Sequence, residues 1–409
     1  MSTPPDAEPP RGNPRFPLFD SLRAIAALSV LTTHAGYLSG ANLGAWYGPF
    51  TARLDIGVTV FFLISGFLLY RPFVASRLNG TPRPRIAGFA RRRILRIVPA
   101  YWLALTVLSF YPGLPQMWTD HSWAYYLFAQ VYVLEWSLGG LLPAWSLCVE
   151  LSFYLALPFL ALLVRRPSLG RFRNAKIRTE LIMVAVLYAV GILFRVYVRA
   201  NEGPLPNSNL YSTLPGNIDW FALGMFLAVA SVALHGRERQ PLPVRVITRW
   251  PSVPWAVGLV LFWVVATQMG IGPEFPQVFT DLEWIGEHVV YGAAAFCLLL
   301  PAVFGDHAGG LPRMILRNRV LSWLGLVSYG IFLWHLPVVA ELGTGPARAW
   351  WGESPMLGIG GVGLLLSVAC ATVSYYALER PLMRWRGRPA RDRRRAGAQA
   401  PTEASGIAG

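Results

Sequence analysis

Residues 54–72 read LDIGVTVFFLISGFLLYRP, and residues 56–69 within this stretch carry no charged side chain. A run of about 17–25 mostly apolar residues is long enough to cross the hydrocarbon core of a bilayer as a helix. Nine further runs meet the same criterion, near 18–38, 97–113, 142–164, 181–199, 216–235, 254–272, 284–304, 321–342 and 356–378. The sequence therefore predicts an all-α polytopic integral membrane protein, a bundle of about ten transmembrane helices.

The composition agrees with this prediction. Hydrophobic residues make up 54% of the 409 residues, and Asp, Glu, Lys and Arg together only 14%. Soluble domains have about 45–50% apolar and about 25% charged residues. The 16 Trp, 16 Tyr and 22 Phe indicate aromatic belts at the two membrane interfaces. These proportions leave no room for a soluble catalytic domain.

The run 123–134, WAYYLFAQVYVL, has 12 residues and is too short for a span. We expect a re-entrant or interfacial segment, because the basic clusters in 71–96 and 165–178 then face the same side. With ten spans and both termini inside, 31 of the 36 Lys and Arg face the cytoplasm, and two, Arg53 and Arg348, face outward. This asymmetry follows the positive-inside rule and predicts a multi-pass protein of a bacterial cytoplasmic membrane with cytoplasmic termini.

The net charge of +15 does not indicate nucleic-acid binding, because the basic residues lie in loops next to apolar spans. Cys148, Cys297 and Cys370 all fall in apolar segments without metal-type spacing, so neither a disulfide framework nor a metal site is expected. The predicted organisation is a disordered cytoplasmic N-terminus (1–17), a transmembrane domain (18–385) and a disordered basic tail (386–409).

The first span, LFDSLRAIAALSVLTTHAGYL, contains Arg23 and His34. Eleven residues make three helical turns to within about 20°, so both lie on one helix face, about 16 Å apart along the axis. Alone, Arg23 could pair with Asp20 at the helix end and His34 could be a core histidine. Ionisable residues inside a membrane usually mark function, and the shared face suggests the two ends of one long ligand.

The other ionisable residues differ in their predicted depth in the membrane. Glu150 and His335 fall in the predicted outer halves of their spans, and Asp219, Glu287 and His288 fall near outer ends. At the cytoplasmic side, Arg93 and Arg96 are three residues apart, on one helix face. Grouped arginines suit phosphate recognition, although positive-inside anchoring also accounts for them.

Three functions fit this pattern. An enzyme could bind a long phosphorylated donor at the inner arginines and carry out acid–base chemistry deeper in the membrane. A proton-coupled exporter could relay protons through the intramembrane His and Glu. An assembly scaffold for envelope enzymes would need neither a donor-binding site nor a proton relay. Composition and spacing leave the first two open.

Six motifs, taken together, resemble membrane-bound acyltransferase family 3, whose members acylate sugars, lipids, polysaccharides and macrolide-type natural products. The resemblance runs from about Leu18 to Arg384, and its most specific marks are the Arg-x10-His spacing of span one, FFLISGFL and WSLxVE. The motifs are, in order, FDSLRAIAALSVLTTH, GVTVFFLISGFLL, RRRILRIVPAYW, AWSLCVELSFYLALP, SYGIFLWH and LERP.

The resemblance implies roles for particular residues. His34 and Arg23 would be the essential histidine and arginine, Arg93 and Arg96 would meet acyl-CoA, and Glu150 would be the carboxylate of WSLxVE. His335 would be the family's ninth-span histidine. This chain departs from the family at Val60, where many members have Asp, and at Leu151, where many have a second Glu.

These assignments give a hypothetical mechanism in which acyl-CoA is a co-substrate and no cofactor is bound. His34 would be the general base on an acceptor hydroxyl, and Glu150 would orient or stabilise its imidazole. Ser146, Tyr329 or His335 would supply the hydrogen bonds to the oxyanion. Cys148 is not expected to form an acyl-enzyme, because a cysteine in an apolar span is more often inert packing.

The acceptor is expected on the outer side, because His34 falls in the outer half of its span. This position favours a short acyl group, such as acetyl, transferred to a sugar-containing envelope glycan or glycolipid. A macrolide or another polyketide natural product is the alternative acceptor.

Overall fold

The computed structural model describes residues 16–164, 172–202, 208–274, 279–305, 309–352 and 355–384. The basic tail expected at 386–409 lies outside these residues, as does the N-terminal segment up to residue 15. All regular elements within them are helical, including short 3₁₀ and π-helical turns.

Ten of the helices coincide with the ten predicted apolar runs, and we number these α1–α10 in chain order. Their bounds are Leu18–Ser39 (α1), Ile56–Asn79 (α2), Ile86–Leu108 (α3), Trp145–Leu163 (α4), Arg173–Glu202 (α5), Ile218–Leu234 (α6), Ser252–Thr267 (α7), Asp281–Val303 (α8), Arg319–Thr344 (α9) and Gly363–Ser374 (α10).

The predicted count of about ten spans is not confirmed. In the described part of the chain, seven helices are long and apolar enough to cross a membrane, or eight if the pair Leu242–Arg249 and Ser252–Thr267, bent by 95°, forms one span. α6 is apolar but has 17 residues. α1 has 22 residues but is not one of these seven helices, because Asp20, Arg23, His34 and several hydroxyl side chains interrupt its apolar stretch.

The region 123–134 does not form a spanning helix. It contains the helix Ser122–Tyr126 and the 3₁₀ turn Gln130–Tyr132, separated by irregular backbone. The Tyr101 hydroxyl donates a hydrogen bond to the Tyr125 carbonyl (2.8 Å), which holds the segment against α3.

Described residues of the two basic clusters on either side of this segment lie at the same end of the bundle, as predicted. The Arg77 guanidinium at the end of α2 donates to the Lys176 carbonyl (2.8 Å) and forms a salt bridge with Glu180 (3.2 Å), both on the first turns of α5. The Lys176 ammonium donates to the Arg77 carbonyl (3.3 Å). The end of α2 and the beginning of α5 are therefore in direct contact.

The helices differ in how deeply they are buried. In the span that contains α2, 78% of the most apolar stretch is buried inside the protein, against 28% in the α5 span. α2 is thus the central helix, and most of α5 is left for lipid. α2 lies against α6 with its backbone in close approach, since a Cβ on Gly66 would come within 2.2 Å of the Phe221 carbonyl oxygen.

Local sequence explains several helix ends. α1 ends before Gly40, whose φ of 76° is left-handed and favours glycine. α2 ends in the same way before Gly80, with a φ of 70°. α8 begins with a capping box, in which Thr280 and Glu283 satisfy each other's backbone N–H groups.

Candidate active site

α1 and α9 form the frame of the site, and they run parallel. Gly325 of α9 faces the backbone of Asp20, where a Cβ would come within 2.0 Å of the carbonyl oxygen. Further along, His335 contacts His34, and a Cβ on Gly343 would lie 3.0 Å from that of Leu38. Because the helices can approach closely, residues far apart in sequence face each other along both.

The two predicted histidines form a pair. The Nδ1 atom of His34 lies 2.8 Å from the Val30 carbonyl oxygen and 3.2 Å from Nε2 of His335. The Nδ1 atom of His335 lies 2.7 Å from the Phe332 carbonyl oxygen. His335 is fully buried, whereas the His34 ring is partly exposed.

These contacts fix both tautomers. A carbonyl oxygen can only accept a hydrogen bond, so each Nδ1 carries the proton. His335 Nε2 is then an unprotonated acceptor that faces the Nδ1–H of His34. The remaining nitrogen, His34 Nε2, has no hydrogen-bond partner among the described residues, so its lone pair can accept a proton, as a general base requires.

The predicted arginines meet in a cavity, which we call the arginine cavity. It encloses about 720 Å³ of empty space, including its open mouth. Six predicted site residues line it: Arg23, Arg93, Arg96, Ser146, Glu150 and Tyr329. Its other walls are mostly apolar and come from α2, α3, α4 and α9.

The cavity's guanidinium groups differ in their partners. Arg23 forms a salt bridge with Asp20 (3.1 Å). The Arg93 guanidinium lies over the Tyr154 ring, 5.8 Å from its centroid. Among the described residues, neither Arg93 nor Arg96 forms a salt bridge. Unpaired guanidinium groups at a cavity wall are suited to binding phosphate oxygens.

Glu150 belongs to the arginine cavity. It accepts a hydrogen bond from the Ser65 hydroxyl, and Arg23 and Arg93 are close enough to interact with its charge. Within the described residues, Glu150 is not a hydrogen-bond partner of His34. The contacts that orient the His34 ring, predicted for Glu150, are instead made by His335 and the Val30 carbonyl.

Ser146 and Tyr329 line the cavity, and both of their hydroxyl groups already donate hydrogen bonds to backbone carbonyls. The Ser146 hydroxyl donates to the Pro143 carbonyl (3.0 Å), and the Tyr329 hydroxyl donates to the Ile97 carbonyl (2.8 Å). To donate to an oxyanion, either would first have to release a backbone carbonyl. In this conformation both hydroxyls hold the cavity wall together.

The histidine pair adjoins the cavity through Phe332. Phe332 lines the arginine cavity, its carbonyl holds His335, and its ring centroid lies 5.7 Å from that of His335. His34 and His335 are not among the cavity's lining residues. The site therefore has two adjacent parts, a cationic cavity and a histidine pair.

Sequence reasoning missed Ser65 and Tyr154. Both lie inside motifs that the sequence had singled out, Ser65 in FFLISGFL and Tyr154 just after WSLCVE. Their position within these motifs was the available signal. Ser65 holds Glu150, and Tyr154 lies under Arg93.

The outer acids and the third histidine form a separate cluster. His288 Nε2 lies 2.8 Å from Asp219 Oδ2, and both side chains are buried. Glu287 lies 3.5 Å from Arg53 Nε. None of these four residues lines the arginine cavity. In the described residues, no group of His, Cys, Asp or Glu is arranged to hold a metal ion.

A family model described as an acyltransferase domain matches residues 17–376. The chain belongs to acyltransferase family 3. The family model thus covers α1 to α10, including both parts of the site.

Two relatives show the similarity along the whole membrane domain. The chain is 25% identical over 392 residues to the O-acetyltransferase OatA of Staphylococcus aureus, covering 90% of this chain and 58% of the relative. It is 26% identical over 396 residues to nodulation protein 10 of Rhizobium leguminosarum bv. viciae, covering 90% of this chain and 93% of the relative. No solved structure matches the chain.

Proposed function

We propose that the protein is an integral membrane O-acetyltransferase, which moves an acetyl group from acetyl-CoA to a hydroxyl of a sugar-containing acceptor. The observation that carries this proposal is a His34 Nε2 without a hydrogen-bond partner among the described residues, next to a cavity lined by two arginines that form no salt bridge with those residues. The name of the S. aureus relative supports acetyl as the transferred group.

The donor would bind by its phosphates. Arg93 and Arg96 would receive the diphosphate, and Arg23 of α1 lines the same cavity. The pantetheine arm would then extend along α1, where Arg23 and His34 are about 16 Å apart along the axis. This arrangement brings the thioester towards the histidine pair.

The histidine pair would perform the proton transfer. As the acceptor oxygen attacks the thioester carbonyl, its proton moves to His34 Nε2, and the C–S bond breaks as the tetrahedral intermediate collapses. The imidazolium then returns the proton to the CoA thiolate, which leaves as the thiol. His335 Nε2 and the Val30 carbonyl, both acceptors at His34 Nδ1, would stabilise the charged ring during the reaction.

We place the protein in a bacterial cytoplasmic membrane with both termini in the cytoplasm, in line with the distribution of its arginines. The donor then enters from the cytoplasm. The acceptor reaches His34 from the outer side, which favours an envelope glycan or glycolipid over a cytoplasmic polyketide.

Mass spectrometry of cell extracts tests the proposal. Lipid, wall and secreted fractions are compared between cells that express the wild type, His34→Ala or His121→Ala. His121 stacks on Trp136 outside the site, so its variant is the matched control. We expect a species heavier by one acetyl group with the wild type and the control, and its absence with His34→Ala.

Other results have defined meanings. If acylation survives His34→Ala at equal membrane levels, His34 is not the base. If the purified protein does not release thiol from acetyl-CoA and a solute is exported unmodified, the protein is a proton-coupled exporter and not an acyltransferase. An acetylated polyketide in place of a glycan would keep the chemistry and change the acceptor.

A further inference from the structure

We propose that a second cavity, next to the arginine cavity, holds the adenosine end of the donor and that Arg83 binds its 3′-phosphate. This inference rests on the proposed use of acyl-CoA. The second cavity encloses about 500 Å³ of empty space, including its open mouth.

The two cavities follow each other along one groove between α2, α3 and α4. On α2, the arginine cavity is lined by residues within 58–69, and the second cavity by residues within 70–77. On α4, the corresponding residues fall within 146–154 and 158–162. On α3, Arg93 lines the first cavity and Ile86 the second. The second cavity is therefore displaced from the first in the same direction along all three helices.

Three aromatic rings join the cavities. Phe73 lines the second cavity, and its ring centroid lies 6.0 Å from that of Phe89. Phe89 lies 6.5 Å from Tyr154, which lines the arginine cavity beneath Arg93. A ligand whose phosphates contact Arg93 therefore has the second cavity next to it.

Two described arginines line the second cavity, and they differ in their partners. Arg77 is paired with Glu180 (3.2 Å), which also accepts a hydrogen bond from the Tyr70 hydroxyl. Arg83 is exposed at the cavity wall. Among the described residues, its guanidinium has neither a salt bridge nor a hydrogen bond. Arg83 is therefore available for an anionic group.

The chemistry of acyl-CoA fits this order of sites. Its diphosphate lies between the pantetheine arm and the adenosine, whose ribose carries the 3′-phosphate. With the arm directed to His34 and the diphosphate on Arg93 and Arg96, the adenosine must leave along the opposite part of the groove. The apolar surface of Phe73, Pro84, Ile86 and Pro158 suits a purine, and Arg83 suits the phosphate.

Binding measurements on purified full-length protein in nanodiscs test this assignment without an acceptor. The ligands are acetyl-CoA and acetyl-3′-dephospho-CoA, and the variants are Arg83→Ala and Arg85→Ala. Arg85 is an exposed arginine two residues away that does not line the cavity. We expect the wild type and Arg85→Ala to bind acetyl-CoA about tenfold more tightly than the dephospho form. Arg83→Ala should lose this preference by binding acetyl-CoA about tenfold more weakly.

A cavity-filling variant gives a second readout. Ser76→Trp should weaken acetyl-CoA binding and leave S-acetylpantetheine, which has no adenosine, unaffected. Equal binding of the two nucleotides by the wild type, or an unchanged preference in Arg83→Ala, would overturn the adenosine site while the donor assignment stands. Absence of acetyl-CoA binding to the wild type would overturn both.

Discussion

The Nδ1 atom of His34 lies 3.2 Å from Nε2 of His335, across the interface between α1 and α9. His335 uses its own Nδ1–H on the Phe332 carbonyl, so its Nε2 can only accept. In the proposed mechanism, His335 would take the position of the third member of a catalytic triad, which holds the imidazole in one tautomer. It would do so as a neutral group in a fully buried position.

Replacing His335 tests this relationship. His335→Ala is expected to lower kcat about 3–10-fold, the effect of one neutral hydrogen bond, because Val30 still holds the His34 ring. It should also shift the pH dependence of kcat, which a purely structural residue would not do. His335→Gln retains an acceptor and should recover part of the rate. Steady-state kinetics over a pH series, with His121→Ala as control, provide the measurement. An unchanged pH dependence of kcat in His335→Ala would show that His335 does not act through His34.

Glu150→Gln is expected to act on the donor. The amide keeps an oxygen for the Ser65 hydroxyl but removes a negative charge beside Arg23 and Arg93. An anionic donor should then bind more tightly, with the KM for acetyl-CoA about 2–5-fold lower. The pH dependence of kcat should stay the same. Glu135→Gln, an exposed site outside the cavity, is the control. A large loss of kcat at constant KM would instead place Glu150 at the reacting groups.

The sequence predicted where the helices lie, and several of its candidate site residues line one cavity. Apolar runs predict spanning helices because hydrophobicity is a local property, and each of the ten runs became a helix. Motif spacing selected Arg23, Arg93, Arg96 and Glu150, which share one cavity. The number of spans was less predictable, since a polar helix such as α1 can be held by neighbouring helices.

The contacts within the site could not be predicted. His34 and His335 are 301 residues apart, and their meeting depends on the close packing of α1 against α9 at Gly325. Analogy with a triad assigned Glu150 to His34, because a carboxylate is the commoner partner of a catalytic histidine. The structure places Glu150 against Ser65 instead. One-dimensional spacing carries no information about which helices are neighbours.

The double variant Arg93→Ala/Arg96→Ala should raise the KM for acetyl-CoA about 10–100-fold, because charge-assisted hydrogen bonds to the diphosphate are lost. Arg91 and Arg92 lie on the same helix and are exposed outside the cavity. Arg91→Ala/Arg92→Ala therefore removes the same charge from the same cluster and should leave the KM near the wild-type value. Initial rates of thiol release, measured at several donor concentrations, compare the two. Equal effects of both double variants would mean that none of the four arginines binds the donor specifically and that they only set the orientation in the membrane.

Gly66 should be needed for the packing of α2 against α6. A Cβ at this position would lie 2.2 Å from the Phe221 carbonyl oxygen, and on the other helix a Cβ at Gly224 would lie 2.1 Å from that of Leu63. Small residues of this kind let membrane helices approach closely. A side chain at position 66 must push the helices apart, so Gly66→Val is expected to cost about 1–3 kcal/mol of stability.

The same change should also reach the site, because Ser65, the neighbour of Gly66, holds Glu150 in the arginine cavity. We therefore expect both a lower thermal unfolding temperature in detergent and weaker acetyl-CoA binding for Gly66→Val. Gly361→Ala is the matched control, since a Cβ there has no atom within 4 Å, and it should leave both quantities unchanged. If Gly66→Val unfolds at the wild-type temperature, α2 and α6 do not need this close approach. If stability falls and donor binding stays constant, Gly66 is needed only for helix packing. The contact between Ser65 and Glu150 would then not depend on it.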